Sequence, residues 1–401
     1  MLRRALTAAL VAAPLAAPLA AQAPAGPRTI VDTVIAPGVR WRRITDPAGP
    51  WAIHVVRIDL KGGGYEMRHV RSRDSVASRE KLTDMVARQK EGAAGVTVAI
   101  NGDFFNLQTG ENENQQVIAG EWWKGMRGSD SPYDAFAAVR THFAVDAKGA
   151  PLMDRFVLDG AAIHATGTIP VLAVNFLPKS GPETVALFTD RVPAVPVDSA
   201  RKLADAPLAA AGRRGDTALY VVAAPVGTKA GRAIAHGTAA LVAYGPRAAA
   251  VAKYAVGDTV RILLRAAARR GDGPFYAPQL LIGGWPRILT GGVNVAARAA
   301  WDEGTLSSNA EARHPRSAVG FSRDSASLFL AVVDGRQAAS AGMTLVELAD
   351  LLKAEGAWDA LNFDGGGSTT LVIKGRIVNS VSDPTGERPV GNALLVVAKP
   401  H

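Results

Sequence analysis

A short apolar strand that runs straight into a carboxylate, three glycines and a hydroxyl constrains this chain more than any other feature. Trp358 to Phe363 reads as that strand, and Asp364-Gly365-Gly366-Gly367-Ser368 follows it directly. Glycine tolerates φ > 0 and lets another group approach the backbone closely, so the run marks a sharp bend beside something. Successive free N–H groups there can form a small anion-binding concavity, with Asp364 and Ser368 at its rims. The Gly-x4-Gly-Lys-Ser/Thr spacing of a nucleotide loop is absent. The Gly-x-Ser-x-Gly pattern of a nucleophile elbow fails at Thr370. A flexible hairpin loop is the other reading of the same residues.

The pattern recurs upstream, where the buried strand Val96 to Ile100 delivers the chain to Asn101-Gly102-Asp103-Phe104-Phe105-Asn106. Polar residues that end an apolar strand abruptly are aimed into a cleft, or else satisfy a local turn. Around these two points the elements are mixed. Val31 to Ile35 and Ile53 to Leu60 read as strands, Gly62-Gly63-Gly64 as a turn, and Ser78 to Glu91 as a helix capped by Ser78 and ended by Gly92. Leu82, Met85 and Val86 share its apolar face. Downstream, Ser317 to Phe321 and Ser327 to Val333 flank the turn at 322–325 as an antiparallel hairpin. Thr344 and Glu347 form a capping box for a helix with the stripe Leu345, Leu348, Ala349 and Leu352, stopped at Gly356. Thr369 to Ile373, Arg376 to Val378 and Ala393 to Ala398 complete the strands. The middle, roughly 185–275, reads as β-rich, with strands at Leu219 to Ala223, Ala239 to Tyr244 and Thr259 to Ala266 and a turn at Gly257-Asp258. Helices and antiparallel pairs in this mixture indicate an α+β fold: a largely antiparallel sheet, a few packed helices and a β-rich middle elaboration.

With 48% apolar residues in 401, the chain has ample material for a core, and zero cysteines exclude a disulfide scaffold, a thiolate metal site and a cysteine nucleophile. The net charge of +9 is spread rather than bunched, so no nucleic-acid partner is expected. Arg3 and Arg4 precede an apolar stretch broken by Pro14 and Pro18 and ending in Ala21-Gln22-Ala23. That is the order of a secretory signal over residues 1–23. A disordered Ala/Pro tail is the alternative. No later segment reads as a membrane span, so a periplasmic or secreted protein is expected, with its oligomeric state open.

The motifs in series resemble the phosphodiester glycosidase family. The resembling residues are Asn101 to Phe105, Ile282-Gly283-Gly284, Arg313-His314-Pro315-Arg316-Ser317-Ala318-Val319-Gly320, Asp334-Gly335-Arg336 and Gly342-Met343-Thr344-Leu345. Ala360 to Ser368, Asn379 and Arg388-Pro389-Val390 continue the series, which spans about 96–398. Three parts are expected: the signal peptide at 1–23 from the leader pattern, an N-terminal β/α segment at 24–95 and, where the resemblance lies, a catalytic domain at 96–401. The resemblance implies an exported hydrolase that cleaves the sugar–phosphate bond of a sugar-1-phosphodiester, releasing free sugar and a phosphomonoester. Cofactors are not required.

Such a reaction expels phosphate from an anomeric carbon, so it needs cations and N–H donors on the leaving group. Arg313, Arg316 and Arg388 suit that role through two-pronged contacts, with Gly365, Gly366 and Gly367 adding backbone donors. An oxocarbenium-like transition state wants a carboxylate as nucleophile or base. Asp364 is the first choice and Asp103 the second, with Asn101, Asn362 and Ser368 on substrate hydroxyls. Asp334 and Arg336 belong either to the site or to an internal ion pair, and Glu387 has the same two readings. His314 reads as a pocket wall or hydrogen bonder, and Gly283-Gly284 as a tight turn. The seven histidines show no zinc spacing and no calcium loop is present, so no metal is expected. Two rivals remain: a metal-assisted phosphodiesterase using Asp103 and Asp364, and a non-catalytic binder of anionic envelope glycans. Export predicts a mature N-terminus near Pro24, which N-terminal sequencing of the envelope fraction checks; intact Met1 in the cytosol is the opposing result.

Overall fold

The structure, a computed structural model, describes residues 28–399 except 63, 128–139, 179–182, 199, 269–273 and 306. The expected leader at 1–23 lies outside these residues. Strands dominate, and pairing is antiparallel apart from Ala173–Val174 against Thr184–Thr189. This is the α+β architecture that the mixture of elements implies.

Two facing sheets position everything that follows. The five-stranded sheet holds Val96–Asn101 between Leu371–Ile373 and Asn392–Ala398, with Tyr65–Arg71 at its edge. The eight-stranded sheet sets Trp51–Asp59 against Ser327–Val333, then Arg316–Phe321, then Asp359–Phe363. Strands from 24–95 therefore pair directly with strands near the C-terminus in both sheets.

These strands are apolar at nearly every position because each face has its own core to fill. Val98, Ile100, Leu394 and Val396 meet Val319, Leu330, Leu361 and Phe363 between the two sheets. The alternate residues point outward. Ala99, Ala393 and Leu395 pack under the helix Leu82–Ala87. Ala318, Phe329, Ala331 and Ala360 pack under the helix Leu345–Glu355. A third, fourteen-stranded sheet built from the middle of the chain has its own core around Leu187, Leu241 and Ile262.

The capping box forms as expected: Thr344 Oγ1 accepts from the Glu347 amide, and the Glu347 carboxylate accepts from the Thr344 amide. Gly356 closes that helix at φ +103°. The helix expected over Ser78 to Glu91 is shorter, Leu82–Ala87. Its first turns are lost because Glu80 pairs through its backbone with Val390 at 2.8 and 3.0 Å, which keeps the chain extended. Ser78 caps nothing and bonds back to the Ser72 carbonyl instead. Gly92 does not end that helix, which stops at Ala87, but opens a separate single turn, Gly92–Gly95. Pairing in the β-rich middle differs from a simple meander, since Thr238–Tyr244 pairs with Leu203–Arg214 while Thr217–Val222 pairs with Thr259–Ala268. Replacing Thr344 with Ala should cost about 1 kcal/mol, read as a lower urea midpoint at unchanged slope.

Candidate functional site

The two strand ends singled out in the sequence meet. The Asp364 amide donates to the Gly102 carbonyl at 2.9 Å, and the Asn101 side-chain nitrogen donates to the Asp364 carbonyl at 2.7 Å. Asn101 is fully buried, and its side-chain oxygen accepts from the Ser317 hydroxyl at 2.7 Å and the Thr370 amide at 3.1 Å. Both lone pairs of that oxygen are spent, one across to the eight-stranded sheet and one within its own, and the buried side chain is not presented to a sugar hydroxyl.

Asp103 is 2% exposed, and both carboxyl oxygens accept from Asn114, at 2.7 Å from Nδ2 and 3.1 Å from the amide. Burial pushes its pKa up to about 7; the Asn114 bonds and Arg140 oppose this, and Glu113 adds to it. Asp364 sits partly exposed at the loop. Burial of its carboxyl, helped by Glu113, raises it to about 6, against the pull of Ser368 and Arg388. Two carboxyls with raised pKa values, sharing one neighbouring carboxylate, are what proton-transfer chemistry near neutrality requires.

Glu113 is the acid that sequence reasoning missed. It forms an ion pair with Arg140, whose guanidinium lies 3.9 Å over the Trp285 ring, and Phe104 meets that ring edge-on at 5.9 Å. Glu303, 3% exposed, fixes this wall from behind: its carboxylate accepts from Thr141 and its carbonyl from Trp285 Nε1. The signal for Glu113 was the run Glu111-Asn112-Glu113-Asn114-Gln115-Gln116, six polar residues with no Gly or Pro. Four of them are buried amides.

Each loop glycine is explained by a part of the chain itself. A Cβ on Gly365 would come 2.5 Å from the Pro315 carbonyl, and one on Gly367 would collide with the Asp383 carboxylate and the Arg388 guanidinium. Gly366 sits at φ +61°, with the Arg336 guanidinium 3.2 Å from where its Cβ would be. The amides of Gly366, Ser368 and Thr369 donate to Pro315, Gly365 and Gly366 carbonyls. The loop therefore does not offer a run of successive free N–H groups, contrary to the concavity expected from the sequence.

The arginines separate into two groups. Arg388 is held by Asp383 through bonds of 2.7 and 2.9 Å and lies close enough to Asp364 to lower its pKa. Arg336, exposed at φ +60°, stands over Gly366 rather than pairing with Asp334. Asp334 instead accepts from Asn379 and the Ser380 amide and faces His54 at 3.8 Å. Arg313 goes elsewhere: it pairs with Glu347 at 2.6 Å and donates to the Gly49 carbonyl at 2.7 Å. Arg316 is 2% exposed and spends its donors on the carbonyls of Met343, Asn309 and Ala312 and on the Asn309 side chain. Arg316 is spent inside the fold and Arg313 on a surface ion pair, away from the loop at Asp364. Glu387 accepts from the Thr83 amide and hydroxyl and so caps the first helix. Asn362 donates to the Trp285 carbonyl at 2.7 Å, which ties the wall to the Asp364 strand. His314 approaches the Ser308 carbonyl at 3.4 Å, and burial with Arg316 nearby holds its pKa below the usual value. Among the described residues, no group of three or more His, Asp or Glu is set to hold a metal ion.

The fold that carries these residues has counterparts. Residues 213–397 match the model of the phosphodiester glycosidase family, the family the sequence motifs resemble, and that stretch carries its domain. Asp364, Arg336 and Arg388 fall inside the match; Asp103 and Glu113 fall before it. A prophage-derived protein of Bacillus subtilis strain 168 is 37% identical over 84 residues, which is 21% of this chain and 13% of that relative. A hypothetical protein from Synechocystis has the same fold, with TM-score 0.69 and 21% identity over 94% of this chain, which spans 64% of that structure. A Burkholderia pseudomallei protein described as exported gives TM-score 0.64 at 22% identity, covering 89% of this chain and 77% of its own. The zebrafish N-acetylglucosamine-1-phosphodiester alpha-N-acetylglucosaminidase catalytic domain aligns with 94% of this chain and 85% of its own, at 16% identity and TM-score 0.47.

The burial of charge at these positions has consequences for stability. A carboxyl with a raised native pKa binds more protons folded than unfolded, so its stabilising contribution is present at low pH and lost as pH rises through the native value. Asp364→Asn should therefore melt a few degrees above the parent at alkaline pH and together with it in acid; an unchanged difference across pH overturns the assignment. Arg316→Ala should lose roughly 3 kcal/mol or more of stability, since bonds to a charged group are worth about 1.5–3 kcal/mol each, seen as a large fall in melting temperature.

Proposed function

We propose that this chain is an exported hydrolase that cleaves the sugar–phosphate glycosidic bond of a sugar-1-phosphodiester. The observation that carries the reading is the backbone junction that brings Asp103 and Asp364 together beside Glu113, with Arg388 and Arg336 at the loop. The family match over 213–397 supports the same reaction class. The export part rests on the leader pattern, with the exported Burkholderia counterpart in support.

In this reading Asp364, the one of the two that is partly exposed, is the carboxylate that attacks the anomeric carbon or takes the proton of the attacking water. Asp103 holds its proton to higher pH and completes the acid–base pair. The bond from the anomeric carbon to the phosphate oxygen breaks, and its electron pair leaves on the phosphate. Arg388 and Arg336 receive that charge with charge-assisted donors. Water supplies hydroxyl to the sugar, and a phosphomonoester departs. The Phe104–Trp285 wall offers an apolar face to the sugar ring.

Hydrolysis in ¹⁸O-labelled water should place the label in the sugar; label in the phosphate would mean P–O cleavage and overturn the reading. Asp364→Asn should lower kcat by roughly 10²–10⁴-fold with binding retained. Arg388→Ala should cost about ten- to a hundredfold, through loss of charged bonds of about 1.5–3 kcal/mol. Binding of anionic glycans with no turnover of any sugar-1-phosphodiester would make the protein a binder instead.

A further inference from the structure

We propose that His69 and Asn392 are positioning residues that hold Asp103 through a one-directional chain of hydrogen bonds, with His69 fixed as its neutral Nδ1–H tautomer. The proposal rests on the reading that Asp103 takes part in the reaction.

The direction of each bond follows from what each atom can do. The Asp103 amide can only donate, so the Asn392 atom 2.9 Å away must be its oxygen. That oxygen also accepts from Asn112 Nδ2 at 3.1 Å. The Asn392 nitrogen is then turned to His69 Nε2, 2.8 Å away. An amide nitrogen only donates, so Nε2 must offer its lone pair. The ring proton is left on Nδ1, which faces the Val117 carbonyl at 3.2 Å. Every donor in the chain meets an acceptor.

Reversing any link breaks the rest. Protonated at Nε2, His69 would set a donor against the Asn392 nitrogen. Turning the amide over would set its nitrogen against the Asp103 N–H. Both residues are buried, His69 at 3% and Asn392 at 0% exposure, so water cannot repair the mismatch. Burial holds the ring neutral down to about 3, and Arg71 beside it works the same way. Around Asp103 the charged neighbours are Glu113 and Arg140, with Arg71 also within reach. Gly102 fits the same design, since a Cβ there would come 2.6 Å from the Asn392 oxygen.

The test begins with imidazole ¹⁵N spectra of the whole protein. His69 should show a protonated Nδ1 and a bare Nε2 from about pH 5 to 8; a protonated Nε2 overturns the proposal. Asn392→Asp replaces the amide donor with an acceptor, so His69 should then take up a second proton and titrate above about pH 6. Above the pH at which His69 gives up that second proton, the uncompensated negative charge should also move the pH limb of kcat/KM upward, with KM little changed; coincident profiles overturn the positioning role. Should that variant fail to fold, His69→Gln and His69→Phe decide instead. Glutamine still offers an oxygen to Asn392 and should keep kcat within about threefold, whereas phenylalanine should lose about tenfold or more. Equal losses in both overturn the role. If the parent turns over no phosphodiester, the functional reading fails, while the nitrogen spectra still decide the relay.

Discussion

Two hydrogen bonds between the ends of strands in facing sheets organise the site. One runs from the Asp364 amide to Gly102, the other from Asn101 to the Asp364 carbonyl. Each strand is buried on both faces and is therefore placed by packing on both sides, which leaves its end little freedom. The bonds between the ends then fix two carboxylates relative to each other at small entropic cost, because the strands are already ordered. Asn101 is given over to this junction, which accounts for an asparagine buried where an apolar residue would pack more easily.

The surroundings shield both carboxyls from bulk water, and among the described residues neither is clasped directly by a cation. Asp103 is bonded by the neutral donors of Asn114. The nearest guanidiniums are engaged by other acids, Arg140 with Glu113 and Arg388 with Asp383. A carboxyl bonded by an amide stays protonatable, whereas one clasped by arginine would be locked as an anion.

Much of the fold could be read from the sequence because the central strands are continuous apolar runs with polar endings, and the capped helix carried both of its signals. The helix at 78–91 was read too long, since periodicity could not reveal that Glu80 would pair with Val390 from the other end of the chain. Strands such as Leu203–Arg214, rich in Ala and containing Pro207, have little intrinsic β preference and are made by their neighbours. The polar strand ends that carry Asp103 and Asp364 were legible where their apolar runs stop, and the structure brings those ends together. Arg313 and Arg316 were not legible: residue type suggests phosphate binding, and only geometry shows that Glu347 and five backbone or amide oxygens have already claimed them. The glycine triplet misled in the same way, since close approach was correctly inferred but the approaching groups belong to the chain.

The order of strands in the five-stranded sheet has a consequence for how the molecule comes into being. Val96–Asn101 lies between partners drawn from Leu371–Ile373 and Asn392–Ala398. Its hydrogen-bonding edges therefore have no native partner until residues 371–373 and 392–398 have been made. Contacts this distant along the chain form late and slowly. An apolar strand waiting so long with open edges invites pairing with other chains. Asn101 and its neighbour Asp103 come into register only when Asn392–Ala398 docks, so a chain made no further than Val96–Asn101 lacks the candidate site.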